Sequence, residues 1–366
     1  MLRLVQLRKS FGKLVAVDSL TLQIERGEVF GLLGPNGAGK STTIGMAVGL
    51  IHPDSGTVNL DGLGAPTKPA VRRHLGVAPQ SLALYDDLTG RENLQFFASL
   101  YSLSPRDKRE RVEKVLGMVG LSARKGDRVK TYSGGMKRRL NLAVALIHDP
   151  PILLLDEPTA NVDPHSRNNI LDLVRELAGA GRTIIYTTHY MEEAARLCSR
   201  VGVIDQGRLL AMGTVSELVA KYGGHTLVTI QRPSGEERIE TSDPLRVIAR
   251  VMNEPAGHAA ARRREAGVEY VAGALPTSQN VRLQAGLPMP AQQVLTSIDE
   301  EPGGPPHRGG ARSASSVLEQ SHLRPAEAPE SEALALLEGD AVSGVRIDRP
   351  DLESVFLTLT GRSLRD

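Results

Sequence analysis

One glycine-rich run in the sequence has the composition of a phosphate-binding loop. It follows the apolar run Val29–Leu33, opens a helical pattern, and consists of Gly34, Pro35, Asn36, Gly37, Ala38, Gly39, Lys40, Ser41 and Thr42. Glycines allow successive backbone N–H groups to turn toward one anion, and the N-terminus of the following helix adds its dipole. Lys40 can reach the β- and γ-phosphates of a nucleoside triphosphate, and Ser41 can ligate Mg²⁺. The run therefore predicts binding of ATP together with Mg²⁺.

Two adjacent acidic residues end a second apolar run. Residues 152–155 are Ile-Leu-Leu-Leu, and Asp156 and Glu157 follow them. The carboxyl ends of parallel strands are where ligands bind in open α/β sheets. Asp156 would hold Mg²⁺, and Glu157, which points the other way, would orient or deprotonate the attacking water. Alone, the run also fits a strand that enters a solvated turn, but its combination with the phosphate loop favours catalysis.

A second possible anion site lies at Ser133, Gly134 and Gly135, which precede a helical run of basic and apolar residues. A serine and two glycines at a helix start can bind an anion, although they can also simply cap the helix. One chain does not need two triphosphate sites for one nucleotide. The economical interpretation is that this site contacts the ATP bound by a second copy of the chain.

The bulk composition narrows the classes of protein that fit. The 366 residues carry a net charge of +2, which favours neither nucleic acid nor anionic lipid as a partner, and Cys198 is the single cysteine, so no intrachain disulfide can form. No stretch approaches the roughly 18 apolar residues that a bilayer crossing requires, and residues 1–10 lack the apolar core of a signal peptide. If the protein works at a membrane, another chain must cross it.

Periodicity predicts an α/β fold for residues 1–222. Short apolar runs that read as buried strands alternate with helical patterns, which indicates a mostly parallel sheet covered by helices. Residues 2–25 and 201–212 are instead typical of antiparallel strands, and the latter turn at Asp205, Gln206 and Gly207.

Residues 223–366 are predicted to form a smaller accessory α/β domain. Strands are expected at 225–231 and 268–272, and a helix at 243–252. A flexible insertion is expected around 300–330, because residues 301–316 are rich in Pro, Gly, Ser and Ala, and order should return near Ser331. Residues 351–360 carry apolar side chains at helical spacing, with Gly361 in the position of a C-terminal cap.

The order of these motifs along residues 1 to about 220 resembles that of the ATP-binding cassette (ABC) ATPases. The resemblance implies further site residues. Gln80 corresponds to the Q-loop residue that contacts Mg²⁺ and the membrane partner, and Phe11 to the aromatic residue that stacks on adenine. Asp163 corresponds to the D-loop residue at the interface between two subunits, and His189 to the switch histidine that contacts the γ-phosphate.

The chain also departs from the family pattern. Tyr132 and Met136 replace the usual Leu and Gln around Ser133–Gly135, and Asn161 and Val162 replace a small residue and Leu in the D-loop. Because Ser133, Gly134, Gly135 and Asp163 are intact, hydrolysis is expected to survive. The Tyr-Ser-Gly-Gly-Met variant and the Leu-Glu-Ser-Val-Phe-Leu segment near the C-terminus are similar to ATPase subunits of bacterial exporters of the daunorubicin-resistance type.

The resemblance implies a P-loop NTPase domain with a mostly parallel sheet, an antiparallel β subdomain and a helical subdomain. Two copies would enclose two ATP molecules and drive separate transmembrane permease subunits from the cytoplasmic side of the cell membrane, for export of a drug, antibiotic or lipid-like compound. Two alternatives are a soluble ABC ATPase acting on nucleic acid or ribosomes and an importer subunit. A single cassette without sustained heptads disfavours the first, so no nucleic acid is expected. The closing helix differs from the small β-barrel tail of importers.

Overall fold

The computed structural model describes residues 1–101, 103–233, 235–253 and 342–361. The strand predicted at 268–272, the insertion around 300–330 and the return of order near Ser331 lie outside these ranges. The chain divides into two units. The first contains Met1–Gly224 and the described residues from Pro350 onward, and the second contains the described residues between His225 and Arg349.

The described strands and helices have the following bounds. The strands are β1 Leu2–Phe11, β2 Leu14–Ile24, β3 Val29–Leu33, β4 Ser55–Leu60, β5 Leu75–Ala78, β6 Ile152–Asp156, β7 Thr183–Thr188, β8 Arg200–Asp205, β9 Arg208–Gly213, β10 Thr226–Arg232, β11 Gly235–Thr241 and β12 Gly344–Asp348. The helices are α1 Lys40–Ala47, α2 Pro69–Arg72, α3 Gly90–Ser99, α4 Pro105–Met118, α5 Gly134–Leu146, α6 Pro164–Gly179, α7 Met191–Leu197, α8 Val215–Tyr222, α9 Pro244–Met252 and α10 Leu352–Thr360.

A six-stranded sheet in the order β5-β6-β7-β3-β8-β9 forms the centre of the first unit. Its first five strands are parallel, and β9 pairs antiparallel with β8 through the predicted turn. Both faces of β6 are covered: Leu153 packs into the core formed with α3–α6, and Leu154 packs on the opposite side with α1, β1 and β2. This double burial explains why the strands are continuous apolar runs.

An antiparallel sheet in the order β2-β1-β4 covers one side of the central sheet. The two strands predicted within residues 2–25 are confirmed, and β4 adds to the free edge of β1. Leu2, Leu4 and Leu22 alternate inward to join Phe30 and Ile44 in one core. On the other side, α3, α4 and α5 pack together as the helical part of the unit. The predicted α/β class with an antiparallel and a helical subdomain is confirmed.

The second unit is a three-stranded antiparallel sheet in the order β11-β10-β12. Val228 and Ile230 of β10 are buried, and Val247 and Val251 of α9 pack with them. Asp243 caps α9 by accepting a hydrogen bond from the N–H of Arg246 at 3.1 Å. The predicted strand at 225–231 and helix at 243–252 are therefore present.

Helix α10 belongs to the first unit, whereas the sequence placed it in the accessory domain. Asp351 caps its start, and Gly361 ends it in the left-handed conformation, with φ of 71°, as predicted. Leu352, Val355 and Phe356 are buried in a cluster with Leu33 and Leu218. The apolar face of the helix is thus covered by the first unit. The predicted boundary at 222 lies close to the observed division after Gly224, but the chain returns to the first unit at Pro350. Among the described helices, none combines the length and apolarity that a bilayer crossing requires.

Candidate active site

Four predicted site segments meet at the carboxyl edge of the central sheet. The phosphate loop follows β3, Gln80 follows β5, Asp156 ends β6 and His189 follows β7. Leu33 pairs with Thr188 and Asp156 pairs with Thr187, so these strands end at the same level. The parallel register therefore brings together residues that are up to 155 positions apart.

The phosphate loop turns tightly against β2 and the β8–β9 turn. Gly39 precedes α1 with φ of 102°, a conformation that favours glycine. A Cβ atom at Gly39 would lie 2.4 Å from the Ala16 carbonyl oxygen, and one at Gly34 would lie 2.2 Å from the Ile204 carbonyl oxygen. These glycines are required by close backbone approach as well as by the turn.

Lys40 is held by acceptors at the base of the loop. Its Nζ donates hydrogen bonds to the carbonyl oxygens of Gly34 and Pro35, at 2.7 and 2.9 Å, and lies 3.0 Å from Oε1 of Glu157. The Lys40 side chain is only 4% exposed. A buried ammonium group aimed at the phosphate loop is the arrangement that binding of a polyphosphate requires.

Glu157 lies at the centre of the predicted catalytic residues. Its Oε2 accepts a hydrogen bond from Nε2 of Gln80 at 3.2 Å and lies 3.3 Å from Nδ1 of His189. Its backbone N–H donates to Oγ1 of Thr187 at 3.0 Å, and its φ is 45°. The backbone of Glu157 is thus held in the left-handed region that non-glycine residues rarely adopt, which is common at functional sites.

Asp156 is buried beside Glu157 but faces a different partner. It is 5% exposed, and its Oδ1 accepts a hydrogen bond from Oγ1 of Thr187 at 2.6 Å. Thr187 therefore orients both acidic residues. Sequence reasoning missed this threonine, although its position on β7, two residues before His189, could have indicated it.

An open groove of about 680 Å³ runs over the phosphate loop. Its lining includes Phe11, Lys40, Ser41, Gln80 and Glu157. The Phe11 ring is half exposed at one end of the groove, with Nζ of Lys9 5.6 Å from its centroid. The remaining lining residues are Leu14, Val15, Ala16, Asn36, Gly37, Gly39, Thr42 and Gln206. Sequence reasoning missed Leu14, Val15, Ala16 and Gln206, because strand and turn residues of this kind carry no motif.

Helix α5 holds the loop that carries Gln80. Nη1 of Arg138 donates to the carbonyl oxygen of Gln80, and Nδ2 of Asn141 donates to that of Pro79 at 3.1 Å. Oδ1 of Asn141 also accepts from the N–H of Ala83 at 3.3 Å. Burial lowers the pKa of Arg138, and the nearby carboxylates of Glu157 and Asp156 oppose this. Sequence reasoning missed Arg138 and Asn141, although both stand on the helix predicted after Ser133.

Ser133, Gly134, Gly135 and Asp163 lie together but away from this groove. Ser133 caps α5, and Asp163 caps α6 by accepting from the N–H of Ser166 at 2.9 Å, which lowers the pKa of the Asp163 carboxyl. A Cβ atom at Gly135 would lie 2.1 Å from Oγ of Ser166. Within the described residues, these four do not line the groove of their own chain.

The structure accounts for two departures from the family pattern. Tyr132 is buried, and its hydroxyl donates to the carbonyl oxygen of Arg124 at 2.7 Å, so its polar end is satisfied. Asn161 has φ of 59°, in a region that asparagine tolerates better than most residues.

Comparison with known proteins agrees with this fold. Residues 17–160 match the sequence family described as ABC transporter. The linearmycin resistance ATP-binding protein of Bacillus subtilis is 46% identical over 232 residues, which are 63% of this chain and 74% of that protein. A Nod factor export ATP-binding protein of Cupriavidus metallidurans is 41% identical over 279 residues, 74% of this chain and 92% of that protein. A daunorubicin resistance ATP-binding protein of Streptomyces coeruleorubidus is 42% identical over 229 residues, 62% of this chain and 72% of that protein.

One similar solved structure contains the products of ATP hydrolysis. It is a dimeric ATP-binding cassette in a post-hydrolysis state, bound to ADP and Pi, with a TM-score of 0.54 and 27% identity over 58% of this chain and 98% of that chain. The fold and the phosphate-loop site define a P-loop ATPase. The chain belongs to the ABC transporter family as an ATP-binding and ATP-hydrolysing subunit, and the predicted resemblance to drug-exporter ATPases is confirmed.

Proposed function

We propose that two copies of this chain enclose two ATP molecules and drive separate permease subunits that export a drug, antibiotic or lipid-like compound. The convergence of Lys40, Gln80 and His189 on Glu157 carries the catalytic part of this proposal. The dimeric cassette similar to this chain supports the arrangement in pairs. The relatives named for linearmycin resistance, daunorubicin resistance and Nod factor export support the direction of transport and the class of cargo.

In this proposal each nucleotide has contacts from both copies. The backbone and side chains of residues 34–42 bind the phosphates, and Phe11 stacks on the adenine. Ser133, Gly134, Gly135 and Asp163 of the second copy complete the site, which agrees with their position away from the groove of their own chain. Because the γ-phosphate bridges both copies, ATP favours the closed pair and hydrolysis opens it.

Hydrolysis proceeds by attack of one water on the γ-phosphorus, with cleavage of its bond to the bridging oxygen of ADP. Glu157 accepts a hydrogen bond or the proton from this water. His189 contacts the γ-phosphate, and Gln80 orients the attacking water from the side of the permease. Lys40 stabilises the negative charge that develops on the phosphate oxygens.

The donor set beside the phosphate loop fits Mg²⁺. Ser41, Gln80 and Asp156 offer a hydroxyl, an amide and a carboxylate, which are the hard oxygen ligands that Mg²⁺ prefers. In the described part of the chain, no three His, Cys, Asp or Glu side chains cluster as a metal site. When bound, the ion would neutralise phosphate charge.

The site of action that follows is the cytoplasmic face of the cell membrane. The chain would bind there as a peripheral subunit through its permease partners. The loop from Pro79 to Ala83 would couple the permease to the site, because Gln80 stands between the catalytic carboxylate and α5. Movement of that loop would therefore change the hydrogen bond between Gln80 and Glu157.

The experiment that tests the catalytic assignment is Glu157→Gln. The variant should keep ATP affinity and lose about 10²–10⁴-fold in turnover, since a general base contributes that much. With ATP it should elute as a stable dimer in size-exclusion chromatography. Glu176→Gln, an exposed position on α6, is the matched control and should behave as wild type. Hydrolysis by Glu157→Gln at the wild-type rate would overturn the assignment.

The cargo is tested by co-expression with a membrane protein whose gene neighbours the gene for this chain. Co-expression of the two should lower accumulation of linearmycin-like or anthracycline compounds in intact cells, and co-expression with Glu157→Gln should not. Absence of any neighbouring gene for a membrane protein would contradict the exporter assignment.

A further inference from the structure

A buried carboxylate that the proposed mechanism does not use lies on α7, four residues after His189. Glu193 is only 2% exposed. Burial of a charged group is costly unless it is paired and hydrogen-bonded. The partners of Glu193 therefore indicate what its burial achieves.

Three hydroxyl groups converge on one oxygen of this carboxylate. Oε2 of Glu193 accepts hydrogen bonds from Oγ1 of Thr159 at 3.0 Å, from the Tyr186 hydroxyl at 3.0 Å and from Oγ1 of Thr188 at 2.8 Å. Burial and the nearby Glu193 charge hold the pKa of Tyr186 well above its usual range, so its hydroxyl remains a donor. Hydrogen bonds to a charged acceptor are the strong ones.

One of these hydroxyls fixes the backbone on both sides of His189. Thr188 immediately precedes His189, and its Oγ1 accepts a hydrogen bond from the N–H of Tyr190 at 2.9 Å while it donates to Glu193. The Glu193 carboxylate thus orients the hydroxyl that closes the turn around His189.

A second route from Glu193 reaches the ring of His189. Nε of Arg167 lies 3.6 Å from Oε1 of Glu193, and the Arg167 guanidinium carbon lies 4.2 Å from the ring centroid of Tyr190. The Tyr190 ring in turn lies 4.0 Å from the His189 ring. Arg167 stands in the first turn of α6, where its N–H donates to the carbonyl oxygen of Asp163 at 2.9 Å.

The third partner connects Glu193 to the catalytic turn. Thr159 follows Glu157 by two residues, inside a turn in which the N–H of Ala160 donates to the carbonyl oxygen of Glu157 at 3.1 Å. Glu193 therefore joins residues 157–167, which carry Glu157 and Asp163, to the end of β7, which precedes His189.

We propose that Glu193 is a positioning residue for ATP hydrolysis, which holds His189 in place relative to Glu157 and the start of α6. Through Arg167, a displacement of the Asp163 segment by the second copy is transmitted to His189. Glu193 acts through Thr188 and Arg167 and does not line the nucleotide groove. The inference rests on the roles proposed above for Glu157, Asp163 and His189.

The test is Glu193→Gln, which preserves the size and an acceptor oxygen but removes the charge that binds three hydroxyls and Arg167. The kcat for ATP should fall about 10–100-fold, as expected from a small misplacement of a reacting group. KM for ATP should stay near the wild-type value, because the phosphate loop is untouched. Glu192→Gln, at the exposed neighbouring position on α7, should match wild type.

A second pair of variants tests the route without changing the carboxylate. Thr188→Val removes the hydroxyl and should reproduce the loss of kcat, whereas Thr188→Ser retains it and should restore most of the activity. Thermal unfolding is measured for every variant, because a purely structural role would lower the unfolding temperature and ATP affinity together with kcat.

The outcomes separate this inference from the proposed function. If Glu157→Gln is inactive while Glu193→Gln and Thr188→Val keep wild-type kcat, the positioning role is wrong and the catalytic assignment stands. If Thr188→Ser is as impaired as Thr188→Val, or if loss of kcat follows loss of stability, the inference is also overturned. If Glu157→Gln hydrolyses ATP normally, the proposed catalytic assignment itself fails.

Discussion

Nζ of Lys40 lies 3.0 Å from Oε1 of Glu157, and both side chains are more than nine-tenths buried. The pair joins the residue assigned to the phosphates with the residue assigned to the attacking water. The ammonium group has three N–H donors, and two of them go to carbonyl oxygens of the loop. ATP phosphates must therefore compete with the Glu157 carboxylate for Lys40. We infer that nucleotide binding redirects Lys40 and leaves Glu157 free to accept from water.

The ion pair predicts a coupling that stability measurements can detect without nucleotide. Lys40→Ala leaves Glu157 buried without its cation and should lower the free energy of unfolding by about 1–3 kcal/mol. Lys40→Ala combined with Glu157→Gln should recover part of that loss, because the unpaired charge is gone. Urea denaturation of the wild type, the two single variants and the double variant measures this coupling. Additive effects of the two changes would show that the pair contributes nothing.

Lys40→Ala should also weaken ATP binding. Each hydrogen bond to a charged group contributes about 1.5–3 kcal/mol, which is at least tenfold in affinity. Isothermal titration with ATP measures the loss. Lys114→Ala is the control, since Lys114 is exposed on α4 and lies outside the groove lining. Equal affinities for wild type and Lys40→Ala would exclude a role for Lys40 in phosphate binding.

Phe11 is predicted to set affinity for the nucleotide base and leave the chemical step unchanged. Stacking of a base on an aromatic ring contributes about 1–3 kcal/mol, so Phe11→Ala should raise Kd for ATP at least fivefold with kcat unchanged. Phe11→Tyr keeps the ring and should bind normally. The ring is half exposed, so stability should hardly change. If Phe11→Ala bound ATP as tightly as wild type, adenine would not stack there.

Helix α10 is predicted to stabilise the ATP-binding unit. Phe356 is fully buried in the cluster with Leu33 and Leu218, so Phe356→Ala should cost about 3–5 kcal/mol. Leu357, the next residue, is 40% exposed, and Leu357→Ala should cost far less. Chemical denaturation of both variants measures the difference. Similar small effects would mean that the helix is only loosely held on the unit.

The local elements of the fold were predictable because their signals are local. The runs at Val29–Leu33 and at residues 152–155 contain no polar side chain, since both faces of each strand are buried. The phosphate loop was predictable from its glycines, which are needed because the backbone at Gly34 and Gly39 lies too close to its neighbours for a side chain. These features depend on adjacent residues, so spacing along the chain reveals them.

The grouping of distant segments was not predictable in the same way. The apolar face of α10 indicated that a partner exists but not that α7 and α8 supply it. Glu193 resembles a surface residue in sequence, because its three hydroxyl donors come from β7 and from the turn after β6. The contacts of Arg138 and Asn141 with the loop at Gln80 likewise depend on packing between elements far apart in the chain.

His148 is predicted to make stability depend on pH between about 6.5 and 4. Its ring stacks on Tyr101 with centroids 3.8 Å apart, and its Nε2 lies 3.1 Å from the carbonyl oxygen of Leu75. Burial lowers the pKa of His148 from 6.5 to about 4. In the unfolded chain the ring takes a proton near pH 6.5, whereas in the folded chain it stays neutral until about pH 4. Stability from this residue is therefore complete above pH 6.5 and is lost as pH falls toward 4, by at most about 1.4 kcal/mol per pH unit.

The measurement is the unfolding temperature of wild type and His148→Phe at pH 7, 6 and 5. The phenylalanine keeps the stacked ring but cannot titrate, and it should be less stable at pH 7 because the Leu75 carbonyl loses its partner. On acidification the wild type should lose its advantage, so that the two unfolding temperatures approach each other by about 2–4 °C for each kcal/mol. The neighbouring Asp149 does not interfere, because hydrogen bonds from Arg111 and Arg182 hold its pKa below 3.8 and it contributes to acid lability only below that range. A constant difference between the two proteins from pH 7 to 5 would show that His148 does not take up a proton on unfolding in this interval.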